Sequence, residues 1–271
     1  MTIRKTVFCL AFSAIAVQAS AQINFTGSYT QDFDSLLNTG TNNAWTDNST
    51  ITGWYIRRMN DVNLVLSQVY NAGDGGSNAG ALYSYGSASA TERAIGSVAS
   101  GSVEHLVYGA RLTNNTGGVI NEFTLNYTGE QWRDGNNLTQ HSLLFSYKIG
   151  GTNIGEDQQT AGGTVGYSAD PTFTRFAGLD FTGPIATSVA GPLDGNLPAN
   201  QAAISNTVTG LTWNPGEDLW IRWVDLNDVG NDHGLAVDNL EFTANPVPEP
   251  GSMIALAMGG LGLLARRRRK A

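Results

Sequence analysis

The sequence predicts an all-β protein, an antiparallel jelly-roll-like β-sandwich, and three observations carry that expectation. Apolar residues recur at every second position in several short runs, Gly, Asn, Asp and Pro punctuate those runs, and no internal stretch holds a long 3.6-residue apolar period. Charged residues are 14% of 271 and glycines number 33, a balance that argues against coiled coils and acidic disorder. Hydrophobic residues at 41% and aromatics at 9% still suffice for one sizeable core.

The chain opens with Arg4 and Lys5, an apolar stretch from Val7 to Val17, and the small residues Ala19, Ser20 and Ala21 before Gln22. This three-part order predicts residues 1–21 as a signal peptide. Ala19 and Ala21 mark the cleavage site, Gln22 is the new N-terminus, and signal peptidase and the secretion translocon are the first partners. Cys9, the one cysteine, lies inside the apolar run and leaves with it. The mature chain therefore has no disulfide, no catalytic thiolate and no cysteine-bound zinc.

Residues 22–244 are the expected sandwich. Glu122 to Thr128 places Phe123, Leu125 and Tyr127 on one face. Leu219 to Asp225 sets Leu219, Ile221 and Trp223 against Trp220, Arg222 and Val224. Being apolar on both faces, it reads as a central strand with its outer face partly covered. Further strands are expected over Gly53–Met59, Val62–Tyr70, Ala81–Tyr85, His105–Leu112, Ser142–Ile149, Phe173–Leu179, Ile204–Leu211 and Gly234–Phe242. The small-residue segments 150–166 and 183–200 read as surface loops. No repeated four-strand blade motif appears, which favours a sandwich over a propeller.

After this domain, residues 245–251 form a Pro-rich stretch expected to be an extended linker that separates the domain from the C-terminal segment. Residues 252–265 are apolar and small and read as a short transmembrane helix, below the roughly 20 residues that span a bilayer comfortably. Arg266, Arg267, Arg268, Arg269 and Lys270, in the basic tail 266–271, would hold that end in the cytoplasm and snorkel to lengthen the span, leaving the sandwich outside. A nucleic-acid-binding arm is the rival reading of the arginines, but it does not fit behind an apolar helix on an exported chain.

Val247-Pro248-Glu249-Pro250-Gly251-Ser252, a short apolar helix and a terminal arginine cluster together resemble the PEP-CTERM sorting signal of Gram-negative bacteria. The resemblance covers only the C-terminal end. It implies that Pro248, Glu249 and Pro250 are recognition residues, that exosortase is the processing partner, and that the protein works with exopolysaccharide in biofilm- or floc-forming bacteria. It also implies a transient inner-membrane stage before the cell surface or the extracellular space. Three internal stretches, Tyr29–Leu36 with Gly53–Tyr55, Tyr127–Arg133, and Trp223–Asp225 through Asp232–Leu240, look like those of secreted bacterial β-sandwich proteins. That likeness supports the fold and implies no catalytic activity.

Of the 15 basic residues, Arg4 and Lys5 precede Gln22 and five close the chain, so eight remain against all 23 acidic residues, a net charge of −15 for residues 22–249. Such a surface repels nucleic acid and anionic polymers unless cations bridge them, and it also keeps a secreted domain soluble.

No G-x-S-x-G elbow, P-loop, dinucleotide-binding glycine pattern or H-E-x-x-H occurs, and His105, His141 and His233 lack metal-pair spacing. Glu130 and Trp132 share one strand face, which reads as a strand-end charge beside a packed indole rather than a sugar platform. The richest constellation is the loop from Asp225 to Gly234. Asp225, Asn227, Asp228, Asn231 and Asp232 there offer oxygen ligands for Ca²⁺, the one cofactor the sequence raises, against an Asx-rich turn that bonds only its own backbone. The expectation is a non-enzymatic, exported structural or adhesive protein of the surface or matrix, in contact with extracellular polysaccharide. The alternatives are a glycan-binding module using Trp45, Trp54 or Trp132, and a secreted metal-dependent hydrolase using Asp225, Asp232 and His233.

Overall fold

The computed structural model describes residues 22–59, 64–66, 68–151, 154 and 172–248. The expected signal peptide, Glu249, Pro250, the helix 252–265 and the tail 266–271 lie outside the described residues. Among the described residues no helix is long and apolar enough to cross a membrane.

The first strands are β1 (Ile23–Phe25), β2 (Ser28–Gln31), β3 (Asn43–Ala44), β4 (Trp54–Met59), β5 (Leu64–Leu66) and β6 (Val69–Gly73). Next come β7 (Ala81–Tyr85), β8 (Ala94–Val98), β9 (His105–Asn114), β10 (Ile120–Asp134), β11 (Ser142–Ile149) and β12 (Thr174–Arg175). A 3₁₀ turn at Ala177–Leu179 leads to β13 (Phe181–Thr182), β14 (Gly191–Pro192), β15 (Gln201–Trp213), β16 (Asp218–Asp225) and β17 (Gly234–Thr243).

One sheet runs β12-β11-β16-β9-β4-β5, with β1 on β9 and β13 on β11; the other runs β14-β10-β17-β8-β7-β6-β3, with β15 on β10 and β2 on β17. Pairing is antiparallel except for β1 with β9 and β6 with β7. From β9 to β11, and again from β15 to β17, the long strands alternate between the sheets, the winding of a jelly-roll-like sandwich.

The period-two reading sets the core. Leu219, Ile221 and Trp223 of β16 meet Phe123, Leu125 and Tyr127 of β10 between the sheets. Trp220 and Val224 face outward into a second cluster with Tyr55, Val107, Ile154 and Phe173. Arg222, on that outer face, is buried, with its guanidinium 3.5 Å from the Phe173 ring and Nη1 donating to the Ile154 carbonyl at 2.7 Å. β16 is thus a central strand covered on both faces. Ile154, expected in a surface loop, is buried because that apolar sheet face needs cover.

Other differences have local causes. β8 is absent from the strands expected above, because all five of its residues are buried and no alternation marks them. Of the expected strand Val62–Tyr70, Leu64–Leu66 forms β5 and Val69 and Tyr70 open β6, with Val62, Asn63 and Ser67 outside the described residues, and Phe173–Leu179 contributes only β12 and the 3₁₀ turn. Pro246 bridges Ile120, and the Val247 N–H donates to the Val119 carbonyl at 2.8 Å, so the Pro-rich stretch starts pinned to the sheet.

Candidate functional site

The loop between β16 and β17 packs beside the loop between β10 and β11. Asp225 continues the inward series Leu219, Ile221, Trp223, so its side chain enters the core rather than the loop. Its Oδ2 accepts the Ser97 hydroxyl of β8, in the facing sheet, at 2.7 Å. Burial holds this carboxyl well above the usual carboxylate range; the Ser97 bond lowers it, while Asp232 and Asp228 add to the rise. Asp225 is a tie between sheets.

The other loop residues also disperse. The Asn227 N–H donates to His105 Nδ1 at 2.9 Å, and Asn231 Nδ2 donates to Asn136 Oδ1 at 2.7 Å. The Asp228 N–H donates to Asp232 Oδ1 at 2.9 Å, closing the loop on itself. The five-residue Ca²⁺ shell expected from the sequence therefore does not assemble. Asp225 is drawn away by strand alternation and Asn231 by the neighbouring loop.

Asp228 and Asp232 instead meet His141, whose Nδ1 lies 3.6 Å from Asp228 Oδ2 and 3.5 Å from Asp232 Oδ1. These three side chains offer ligand atoms within 4.8 Å of one another. Two of the atoms are already engaged, because His141 Nδ1 accepts the His233 N–H at 3.3 Å and Asp232 Oδ1 accepts the Asp228 N–H. Burial is the largest cause acting on both, lowering His141 and raising Asp232 to about 6. His141 escaped the sequence reading because only the fold brings it to the loop.

His233 is locked as well. Its Nδ1 accepts the Gly135 N–H at 2.9 Å and its Nε2 donates to the Thr139 carbonyl at 3.2 Å, the pattern of the Nε2–H tautomer. With Asp225 in the core and His233 bonded to backbone on both ring nitrogens, the three-residue hydrolase constellation is not formed. The tryptophan platforms fail too: Trp45, Trp54 and Trp132 are all buried. Trp132 stacks on Tyr85 with centroids 5.9 Å apart.

A polar cleft of about 210 Å³ opens beside the loop, lined by Asn78, Ser100, Arg133, Asn231 and Asp232 among others. Arg133 Nη1 donates to the carbonyls of Gly75 and Gly76 at 3.0 and 3.2 Å. Leu138 and Val229 stand 75% and 97% exposed on the two loops, which Asn137 Nδ2 ties together through the Val229 carbonyl at 2.8 Å.

The sandwich and the tail behind it define an exported all-β protein that carries a C-terminal sorting signal. That signal is the PEP-CTERM protein-sorting motif, matched over residues 246–270, and it implies exosortase as processing partner and sorting at the membrane. No curated protein matches the chain.

Solved structures with a similar layout include the Stig cyclase Fisc from Fischerella sp. TAU, at 11% identity and TM-score 0.38, covering 82% of this chain and 100% of that one. The K2 cleaved adhesin domain of Lys-gingipain stands at 14% and 0.35, covering 80% and 99%. The CBM22-1 xylan-binding domain of Paenibacillus barcinonensis Xyn10C stands at 7% and 0.29, covering 82% and 98%.

Proposed function

We propose that the protein is a non-catalytic structural or adhesive component of the cell surface or extracellular matrix, delivered there by exosortase. The observation that carries this reading is the sorting motif over residues 246–270. Gln22, the expected new N-terminus, already belongs to the fold: its Nε2 bonds Thr113 Oγ1 and Asp218 Oδ1 at 3.2 Å, and β1 begins at the next residue. Near the other end Pro246 bridges Ile120 and the Val247 N–H donates to the Val119 carbonyl, so the sheet holds the chain up to the residue before Pro248.

The test is intact mass and fractionation in the native host, beside a variant carrying Pro248→Ala, Glu249→Ala and Pro250→Ala. The wild type is expected outside the cell, trimmed near Glu249, and the variant full-length in the membrane. Equal retention of both without trimming would make the tail an ordinary anchor.

A glycan-binding role is the second reading, favoured by the polar cleft rather than by stacking tryptophans. Hydroxyl-rich ligands suit its mixed donors and acceptors. Asn231→Ala is expected to lower co-sedimentation with the host's exopolysaccharide at least about fivefold, the order of one lost hydrogen bond, while Asn136→Ala, which breaks the same loop contact outside the cleft lining, leaves it unchanged. Undiminished co-sedimentation would remove the cleft from the reading.

A further inference from the structure

A second acidic cluster lies on the outer face of the other sheet, away from the Asp/Asn loop. Asp238 of β17 stands opposite Thr128 of β10, and Glu130, two residues along, is its diagonal neighbour on the same face. Glu92, just before β8, completes the group. All three carboxylates offer oxygens within 4.8 Å of one another. Glu130 is 1% and Asp238 2% exposed.

Each carboxylate has one oxygen held and turned. Glu130 Oε2 accepts Trp132 Nε1 at 2.8 Å, Glu92 Oε2 accepts Asn196 Nδ2 at 2.6 Å, and Asp238 Oδ2 accepts Asn239 Nδ2 at 2.6 Å. Glu92 Oε1 and Asp238 Oδ1 are buried with no hydrogen-bond partner. Among the described residues no salt bridge reaches the group. The neighbouring Arg93 directs its guanidinium to Ser84 and to the carbonyls of Gly73 and Ser87 instead.

Buried carboxylates without a cation are costly, and buried polar atoms in native proteins almost always find a partner. Burial lifts Glu130 to about 7. Burial, with the charge of Glu130 second, lifts Asp238 to about 8. The donors are all oxygen, the preference of hard divalent cations, and ligands held at 2.3–2.6 Å around one Ca²⁺ lie no more than about 5 Å apart.

We propose that Glu92, Glu130 and Asp238 bind one Ca²⁺ ion, with Glu92 Oε1 and Asp238 Oδ1 among its ligands. The ion ties the start of β8 to the β10–β17 pair beneath the segment that carries Asn196. It balances charge in the interior of an exported domain that has no disulfide to brace it.

The experiment uses the purified full chain stripped with EGTA, titrated with CaCl₂ by calorimetry and tracked by thermal unfolding. A melting rise of about 5–10 °C is expected at a hundredfold excess over Kd. Glu130→Gln with Asp238→Asn abolishes that rise, yet the metal-free double variant melts no lower than the metal-free wild type at neutral pH, because the amides cost no more to bury than the carboxyl groups they replace. Glu92→Gln, at the rim, weakens Ca²⁺ binding at least tenfold and guards against misfolding of the double variant.

Tb³⁺ replacing Ca²⁺ gives emission sensitised by the adjacent Trp132, lost in Glu130→Gln and kept in Asp228→Asn with Asp232→Asn. Absence of any Ca²⁺ response in the wild type, its persistence in the double variant, or its loss in the Asp228/Asp232 variant overturns the proposal.

Discussion

Trp223→Ala is expected to cost about 3–5 kcal/mol, the range for emptying a large buried aromatic site. Trp223 lies parallel to Trp54 of β4 with centroids 6.3 Å apart, and 6.5 Å from Tyr108 of β9. Its edges meet Tyr127 of β10 at 5.2 Å and Phe145 of β11 at 5.4 Å. One ring therefore packs against three strands of its own sheet and one of the facing sheet, and Trp54 passes the contact on to Phe33 at 4.8 Å.

Domains of this size have a stability of about 5–15 kcal/mol, so the variant retains a reduced margin. At about 2–4 °C per kcal/mol, the melting temperature falls by about 6–20 °C. Trp223→Phe keeps most of the ring contact and should recover more than half of the loss. Urea unfolding of the three proteins measures this; a loss below about 1 kcal/mol for the alanine variant would mean the core closes over the gap.

Asp225 governs the second large effect, a dependence on pH. Its carboxyl is raised by burial, so the folded protein keeps a proton that the unfolded chain releases above about pH 4. The folded state therefore binds more protons in that window. The Asp225 contribution is fully favourable below about pH 4 and is lost as pH rises toward the folded value, by up to about 1.4 kcal/mol per pH unit.

The ionisable groups that act on this carboxyl are Asp228 and Asp232 from the loop; its own charge in turn bears on Tyr85 of β7 and Tyr108 of β9. Asp225→Asn removes the titration while leaving an oxygen to accept from Ser97. The variant should gain on the wild type as pH rises above about 4, the range in which the unfolded chain releases the proton, when both are held in EGTA. Parallel stability profiles would show that Asp225 is ionised in the folded protein. Asp225→Ala, which also leaves the Ser97 hydroxyl without its partner, is expected to cost about 1–3 kcal/mol at pH 5.

The same residue shows how far the sequence can be read. Alternation along Leu219-Trp220-Ile221-Arg222-Trp223-Val224-Asp225 sets Asp225 on the inward face, yet its place next to Asn227 and Asp228 makes it look like a loop ligand. A strand's period of two overrides proximity in sequence. Alternation also puts Glu130 and Trp132 on one face, where a 2.8 Å bond joins them. What alternation leaves open is whether that face is covered, and so Glu130 looks like a charge at a strand end. The segment before β15 covers it, with Gly195 packed against the Trp132 indole and Asn196 Nδ2 donating to Glu92 Oε2 at 2.6 Å.

The sequence by itself determined the class of fold, the inner faces of the long strands and the sorting motif at the C-terminal end. Each of these is written in neighbouring residues, as a period of two or as a contiguous signal. Tertiary structure alone decided which acids lie together. Glu92, Glu130 and Asp238 are far apart along the chain, and His141 comes from a different loop than Asp228 and Asp232. Strand pairing in register sets Glu130 beside Asp238, and loops packed against those strands bring Glu92 to them and His141 to Asp228 and Asp232.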